Sequence, residues 1–486
     1  MPKWNWFTGH LLVLQEYFDR LPTDANIQLA IQTLALENHG DTKIFLMDTW
    51  PVYPPFYMVF DPQTAYQVSN KFNLPKLPLH LKFMHPITGG PSLHGMNHEE
   101  WRYWRAIFNP GFSGGSMMDL VPAVVDSVQV FCDILQENVG SKDPVQLSGL
   151  TTRMTMEIIL KVSLDMDSNN QRVEHPISTS LRKILAWHSF WDPFRQRKNQ
   201  KQAQRGKSII ALALEAYLAD PKSGESKNVG ETSVLDEHFA KYASYQIRLF
   251  LFAGNDTTSS TISYVYHLLF KHPDILRQVR EEPDRVFGSD PSAAGQRIKS
   301  DPTLLNDCPL TLAVIKETLR LYPPASTSRG GLAGKQATLT DPNGNLYPID
   351  YVGANILHPA CHLNPRVWPR AKEFLPERWL GEAGHELYPV PGAWRPFEHG
   401  PHNCIGQTLV YNEIRVVLAM SLRSFNISPA YDEWDALNLQ KEGLVGRLTR
   451  QFRKPVPNTL NGERAYQTEL AGYPKDDYPC RIELCN

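Results

Sequence analysis

Cysteine is sparse in this sequence, and no two cysteines form a C-x-x-C pair: Cys132, Cys308, Cys361, Cys404, Cys480 and Cys485 are scattered. That pattern argues against a secreted disulfide framework and for a reducing compartment. Zinc fits poorly too, because His399, His402 and Cys404 supply only part of a four-ligand shell. A run of about 18 apolar residues is missing, so no transmembrane helix is encoded. The start, MPKWNWFTGHLLVLQEYF, lacks the basic head and unbroken apolar core of a signal peptide. Its Trp4, Trp6 and Phe7 suit a membrane interface as well as they suit a packed segment. None of the 30 glycines stands in a G-x-G spacing, which removes the dinucleotide fingerprint. Basic residues are not in excess, with 49 Lys and Arg against 51 Asp and Glu, so nucleic acid is not an expected partner. No linker, low-complexity stretch or repeat divides the chain. Residues 1–486 are therefore expected to form one domain, with 1–25 as an N-terminal segment.

What is present reads first as helix. MMDLVPAVVDSVQVFCDIL and GKSIIALALEAYL space their apolar residues three and four apart, the period of an amphipathic helix. After about residue 323 prolines become frequent, and QATLTDPNGNLYPID reads as two strands joined at Pro342-Asn343-Gly344. EIRVVLAMSLRSF, from Glu413, returns to helix. A mainly α fold with a small β region follows. RQRKNQKQAQRGK, residues 195–207, is a basic run that suits a solvated face or a membrane surface, and its GKS tail does not complete a phosphate loop. GFSGG, at 111–115, matches the G-x-S-x-G elbow of hydrolases formally. That elbow needs a strand before it, whereas EEWRYWRAIF looks helical and ends at Pro110.

Four stretches carry chemistry. FEHGPHNCIG, residues 397–406, isolates one cysteine between glycines; it reads as a zinc corner, a buried thiol, or a thiolate holding a cofactor's metal. LFLFAGNDTTSSTISYVYHLLF, residues 249–270, has helical apolar ends and a weak middle of Gly254, Asn255, Asp256, Thr257 and Thr258. Two readings stand: a helix that opens locally, with Asp256 and Thr257 passing protons inward, or a polar patch on a helix–helix contact. KETLRLYPP pairs Glu317 with Arg320, and Arg378 of FLPERWL is available as a third charge. The same E-x-x-R spacing recurs at Glu99/Arg102 and Glu282/Arg285. Trp101 and Arg105 lie four apart on one helical face, which suits a carboxylate-bearing ligand or an ordinary solvated helix.

Taken in order, W-x-x-x-R, A-G-x-D-T-T, E-x-x-R, P-E-R-W and F-x-x-G-x-x-x-C-x-G resemble the cytochrome P450 monooxygenases, most of all filamentous-fungal members. The resemblance implies that Cys404 is the axial thiolate of a haem iron, a ligand that favours O–O cleavage. Gly400 and Gly406 then permit the tight loop around the sulfur, and Phe397 shields it from water. Trp101, Arg105 and Arg329 become propionate partners, Asp256 and Thr257 the proton-delivery pair, and Gly254 the residue that makes room over the haem. Glu317, Arg320 and Arg378 match a buried structural triad. His402 stands where the family usually has arginine, so the haem is expected to be held less firmly, or His402 to be protonated by a propionate.

The implied reaction inserts one oxygen atom of O2 into a lipophilic small molecule, consistent with secondary-metabolite tailoring. The segment LHLKFMHPITGGPSLHGM is expected to line the pocket. Electrons would come from NADPH through a separate diflavin reductase, with Arg102, Arg395 and Arg415 as candidate docking residues. By family analogy the location is the cytosolic face of the endoplasmic reticulum membrane; since no spanning helix lies in 1–486, a shortened chain, peripheral association and a cytoplasmic location all stay open. A haem-thiolate isomerase or dehydratase that does not activate O2 is the alternative, and a non-catalytic haem-binding sensor a more distant one. The Asp256–Thr257 pair argues against both.

Overall fold

The computed structural model describes residues 3–187, 237–441, 457–468 and 472–485. The chain divides into two compact units, one of residues 1–74, 112–152 and 257–486, the other of residues 75–111 and 153–256. The basic run at 195–207 and the helix expected over 206–218 lie outside the described residues.

In the larger unit, helices α1 (Leu11–Phe18) and α2 (Ile27–Asn38) precede strands β1 (Ile44–Met47) and β2 (Phe56–Val59). Pro62–Tyr66 then forms α3, which runs into a π-turn over Gln67–Lys71. In the smaller unit lie α4 (Pro78–Thr88) and α5 (His98–Phe108). Next come α6 (Gly114–Asp119), α7 (Val121–Glu137), strand β3 (Val145–Gln146), α8 (Leu147–Leu164) and α9 (Pro176–Trp187). Helix α10 (Glu237–Lys271) is followed by α11 (Pro273–Phe287), α12 (Ala294–Ser300) and α13 (Pro309–Leu321). Strands β4 (Thr327–Arg329), β5 (Thr338–Thr340), β6 (Leu346–Pro348) and β7 (Gly353–Ile356) come next. The described chain ends with α14 (His358–Leu363), α15 (Gln407–Ser421), β8 (Phe425–Pro429), α16 (Tyr431–Lys441) and β9 (Pro479–Leu484). The unit division falls within α8 and α10.

Sequence patterns explain several of these boundaries. The apolar stretch that begins at Met117 forms two helices rather than one, because Pro122 sits in the first turn of α7 and the chain restarts at Leu120. α15 starts at Gln407, six residues before the expected Glu413, since polar Gln407 and Thr408 conceal an onset set at Gly406. The expected hairpin is present: β5 and β6 pair antiparallel with Thr338 opposite Pro348. The Gln67 side chain extends that hairpin, accepting from the Thr340 N–H at 3.0 Å and donating to its carbonyl at 2.7 Å. The main sheet runs β1-β2-β7-β4, with β2 and β7 parallel and Arg329 at the end of β4 opposite Ala354.

α10 corrects one expectation. Its weak middle does not open; the helix runs continuously through Gly254–Thr258. The polar side chains bond to α8 instead. Within the smaller unit, the Thr155 hydroxyl donates to the Asn255 carbonyl at 3.1 Å and side-chain oxygen at 2.7 Å. Within the larger unit, Ser259 meets Thr151 at 2.7 Å and Thr152 at 2.9 Å, and Ser263 meets Ser148 at 3.1 Å. Among the described residues, no helix is long and apolar enough to cross a membrane.

Candidate functional site: the cysteine loop and its buried charges

The loop before α15 is closed by its own backbone. The Cys404 N–H donates to the Phe397 carbonyl at 2.8 Å, and the Asn403 N–H to that of Gly400 at 3.2 Å. Gly400 has φ +80, and a Cβ there would lie 2.4 Å from the Ser69 carbonyl oxygen at the π-turn. That backbone atom cannot yield, so the position requires glycine. Phe397 packs edge-on against Trp394 and Tyr411, at ring separations of 6.0 and 5.4 Å. A Cβ at Gly406 would meet nothing within 4 Å, leaving the approach to the loop clear at the onset of α15. Cys404 is exposed and His402 half-buried.

Arg329 is the unusual member. It is 1% exposed, and none of its three guanidinium nitrogens has a partner among the described residues. Burial lowers its pKa to about 10, with the charge of Glu398 acting to raise it and that of Arg395 to lower it. A buried guanidinium whose donors find no acceptor is costly unless it faces an anion from outside the chain. Together with a soft sulfur donor and open space beside Gly406, this arrangement fits a haem: Cys404 to hold the iron, Arg329 to meet a propionate.

A charged cluster that the sequence did not suggest flanks the loop. Arg395 and Arg415, expected at a docking surface, are buried, because each is committed to partners inside the fold. Arg395 pairs with Glu398 and donates to Ser69 Oγ at 2.7 Å. Arg415 donates to Asn306 Oδ1 at 3.0 Å and Asn412 Oδ1 at 2.7 Å. Arg102 is exposed and paired with Glu99.

The triad forms as expected and is larger than expected. Glu317 accepts from Arg320 Nη2 at 2.7 Å, Arg320 Nε at 2.9 Å and Arg378 Nε at 3.2 Å, all three side chains being fully buried. Trp379 Nε1 at 3.0 Å and the Leu375 N–H at 3.1 Å complete its shell.

In the smaller unit, Trp101 is buried on α5, and the Arg105 guanidinium lies 5.9 Å from its ring while bonding to Asn109 at 2.8 Å. Gly254 takes a place different from the one expected. The space it leaves is occupied by α8, since a Cβ there would stand 2.9 Å from Ile159 Cδ1. On the same turn Ala253 is exposed; Thr257, one turn on from it, is half-buried and Asp256 buried. Ser113 of the G-x-S-x-G match is the N-cap of α6, its Oγ accepting from the Ser116 N–H at 3.3 Å. A 3₁₀ turn rather than a strand precedes it, so the hydrolase elbow is absent there. The segment expected to line the pocket is tied to α10: the Gln246 side chain accepts from the Leu93 N–H at 2.8 Å and donates to the Pro91 carbonyl at 3.2 Å.

Comparison with known proteins agrees with this geometry. A family model described as Cytochrome P450 matches residues 55–452. The chain is 38% identical to the cytochrome P450 monooxygenase polC of Polytolypa hystricis, over 100% of this chain and 89% of that protein. It is 32% identical to the cytochrome P450 monooxygenase acrF of Aspergillus aculeatus, over 95% and 98% respectively. In fold it is similar to the crystal structure of the cytochrome P450DA heme domain, with a TM-score of 0.74 at 18% identity, covering 100% of this chain and 97% of that one. Sequence and fold together place the chain in the cytochrome P450 family of haem-thiolate monooxygenases.

Proposed function

We propose that the chain, acting as a single catalytic domain, oxygenates a lipophilic small molecule in secondary metabolism. In this reading it takes O2 as co-substrate and electrons from NADPH through a separate diflavin reductase. The observation that carries the site assignment is Arg329, a fully buried guanidinium without a partner among the described residues, beside the charges of the cysteine loop. Bound at Cys404, haem supplies the metal-centred activation of dioxygen. The chain's own residues do the rest. Cys404 holds the iron as thiolate, and Phe397 keeps water from the sulfur. Trp101, Arg105 and Arg329 orient the propionates, with His402 a weaker fourth contact. Gly400 and Gly406 let the loop and the onset of α15 come close. Asp256 and Thr257 would pass protons inward to the bound oxygen.

We place the protein at a membrane surface, at the cytosolic face of the endoplasmic reticulum. Trp4, Trp6, Phe7, Leu12, Trp50 and Val52 are all exposed. They belong to two segments joined where the His10 N–H donates to the Asp48 carbonyl at 2.7 Å and Trp4 Nε1 to the Asp48 carboxylate at 2.8 Å. Aromatic residues so grouped suit the headgroup region.

The test is the carbon monoxide difference spectrum of the reduced protein. The thiolate-type spectrum is expected from the wild type and its loss from Cys404→Ser. Consumption of NADPH that depends on added diflavin reductase then checks the electron route. A wild-type protein that takes up no haem would refute the whole assignment.

A further inference from the structure

Glu398, immediately after Phe397, has φ +58, the left-handed region in which a Cβ crowds the following carbonyl. Its side chain is buried all the same, and both oxygens are in use. Oε1 accepts from the Arg395 guanidinium and from the His399 N–H at 3.0 Å; Oε2 accepts from His358 Nε2 at 2.9 Å. The groups that clamp it are themselves held. The Arg395 N–H donates to His362 Nε2 at 2.9 Å, and Arg395 Nη2 donates to Ser69 Oγ at 2.7 Å. Ser69 in turn presents the carbonyl against which Gly400 packs.

The geometry of one peptide gives this cluster its meaning. In the plane between Phe397 and Glu398, the carbonyl accepts the Cys404 N–H at 2.8 Å and the N–H donates to the Arg395 carbonyl at 3.0 Å. Glu398's own φ turns about the bond next to that plane. Whatever holds Glu398 in the left-handed region therefore sets where the Phe397 carbonyl points, and with it the backbone of the cysteine. The pKa of Glu398 agrees: burial alone would raise it, yet the His358 hydrogen bond and the charges of His358 and Arg395 hold it well below the ordinary carboxylate range.

We propose that Glu398 is a positioning residue for Cys404, its carboxylate clamped between Arg395 and His358 so that the Phe397–Glu398 peptide holds the cysteine backbone in register for the iron. The inference rests on Cys404 as haem ligand. A residue kept only for its left-handed backbone is the competing explanation, and glycine separates the two, since it adopts that conformation without strain.

The experiment compares Glu398→Gly and Glu398→Gln with the wild-type holoprotein by reduced carbon monoxide spectrum, haem reduction potential and thermal midpoint. Both variants are expected to convert a several-fold larger share of the complex from the thiolate to the thiol form. Both should raise the potential, because a negative charge near the site is removed, and glycine should do so despite its easier backbone. A Glu398→Gly protein with wild-type spectrum and potential overturns the proposal. If either variant fails to accumulate folded, Glu398→Asp and His358→Asn decide: a shift toward the thiol form supports the proposal, and unchanged spectra in both overturn it. A wild-type protein without the thiolate spectrum marks failure of the ligand assignment itself, with Cys404→Ser as reference.

Discussion

At Arg329 burial and charge pull in opposite directions, and the sign of a substitution there depends on what faces it. With haem absent, Arg329→Met removes an unpaired buried cation and is expected to raise the urea midpoint of the haem-depleted protein. If Arg329 meets a haem propionate as proposed, the same change should weaken haem retention by about 1.5–3 kcal/mol, the worth of a charge-assisted hydrogen bond. The checks are denaturation with and without haem and competition against a second haem-binding protein. A change of the same sign in both states would contradict the role given to this side chain. Single residues also show where sequence reading stops. The tight cysteine loop was legible because its glycines and phenylalanine lie close together in the chain. Arg395 was not: next to Pro396 it looks like any surface arginine, while its partners Ser69 and His362 lie far away in the chain.

The spacing E-x-x-R occurs three times, and its three structural outcomes differ. Glu317 and Arg320 are fully buried, and Glu99 and Arg102 form an exposed pair. Glu282 instead turns its carboxylate to the start of α13, accepting from the Leu310 and Thr311 N–H groups at 2.7 and 2.8 Å. Periodicity fixes which residues share a helical face, but not what that face meets. The same limit applies to α10. Its polar middle suggested a distortion to accept a ligand, whereas the structure spends Asn255, Ser259 and Ser263 on α8. Gly254 belongs to that contact, so in Gly254→Ala the new methyl presses on Ile159 Cδ1 and Cγ1, at 2.9 and 3.0 Å, and an overpacking cost of about 1–3 kcal/mol opposes a helix-propensity gain of about 1 kcal/mol. Shortening the opposing side chain supplies the control. In a double-mutant cycle measured by chemical denaturation, Gly254→Ala with Ile159→Ala is expected to lose less than the sum of the single changes, by about 0.5–3 kcal/mol. Strict additivity would mean that the two residues do not meet.

At the scale of the molecule, the fold class and order of motifs could be read from the chain because the helical period and the proline-rich strand region are both written locally. The exposed aromatic group needed the structure, since Trp50 and Val52 join Trp4, Trp6 and Phe7 only when Asp48 folds back onto the first residues. Trp6→Ser, Phe7→Ser and Trp50→Ser combined are expected to reduce co-sedimentation with phosphatidylcholine vesicles at least several-fold while leaving the carbon monoxide spectrum intact. Equal binding by wild type and variant would remove the membrane assignment. The Glu317 shell has a different kind of consequence. Its five donors come from α13 and from the stretch around Leu375–Trp379, and an anion at zero exposure tolerates no partial set. That stretch cannot fray residue by residue: it lets go together with its anchoring helix or stays closed, so a protease should find it either wholly resistant or abruptly open.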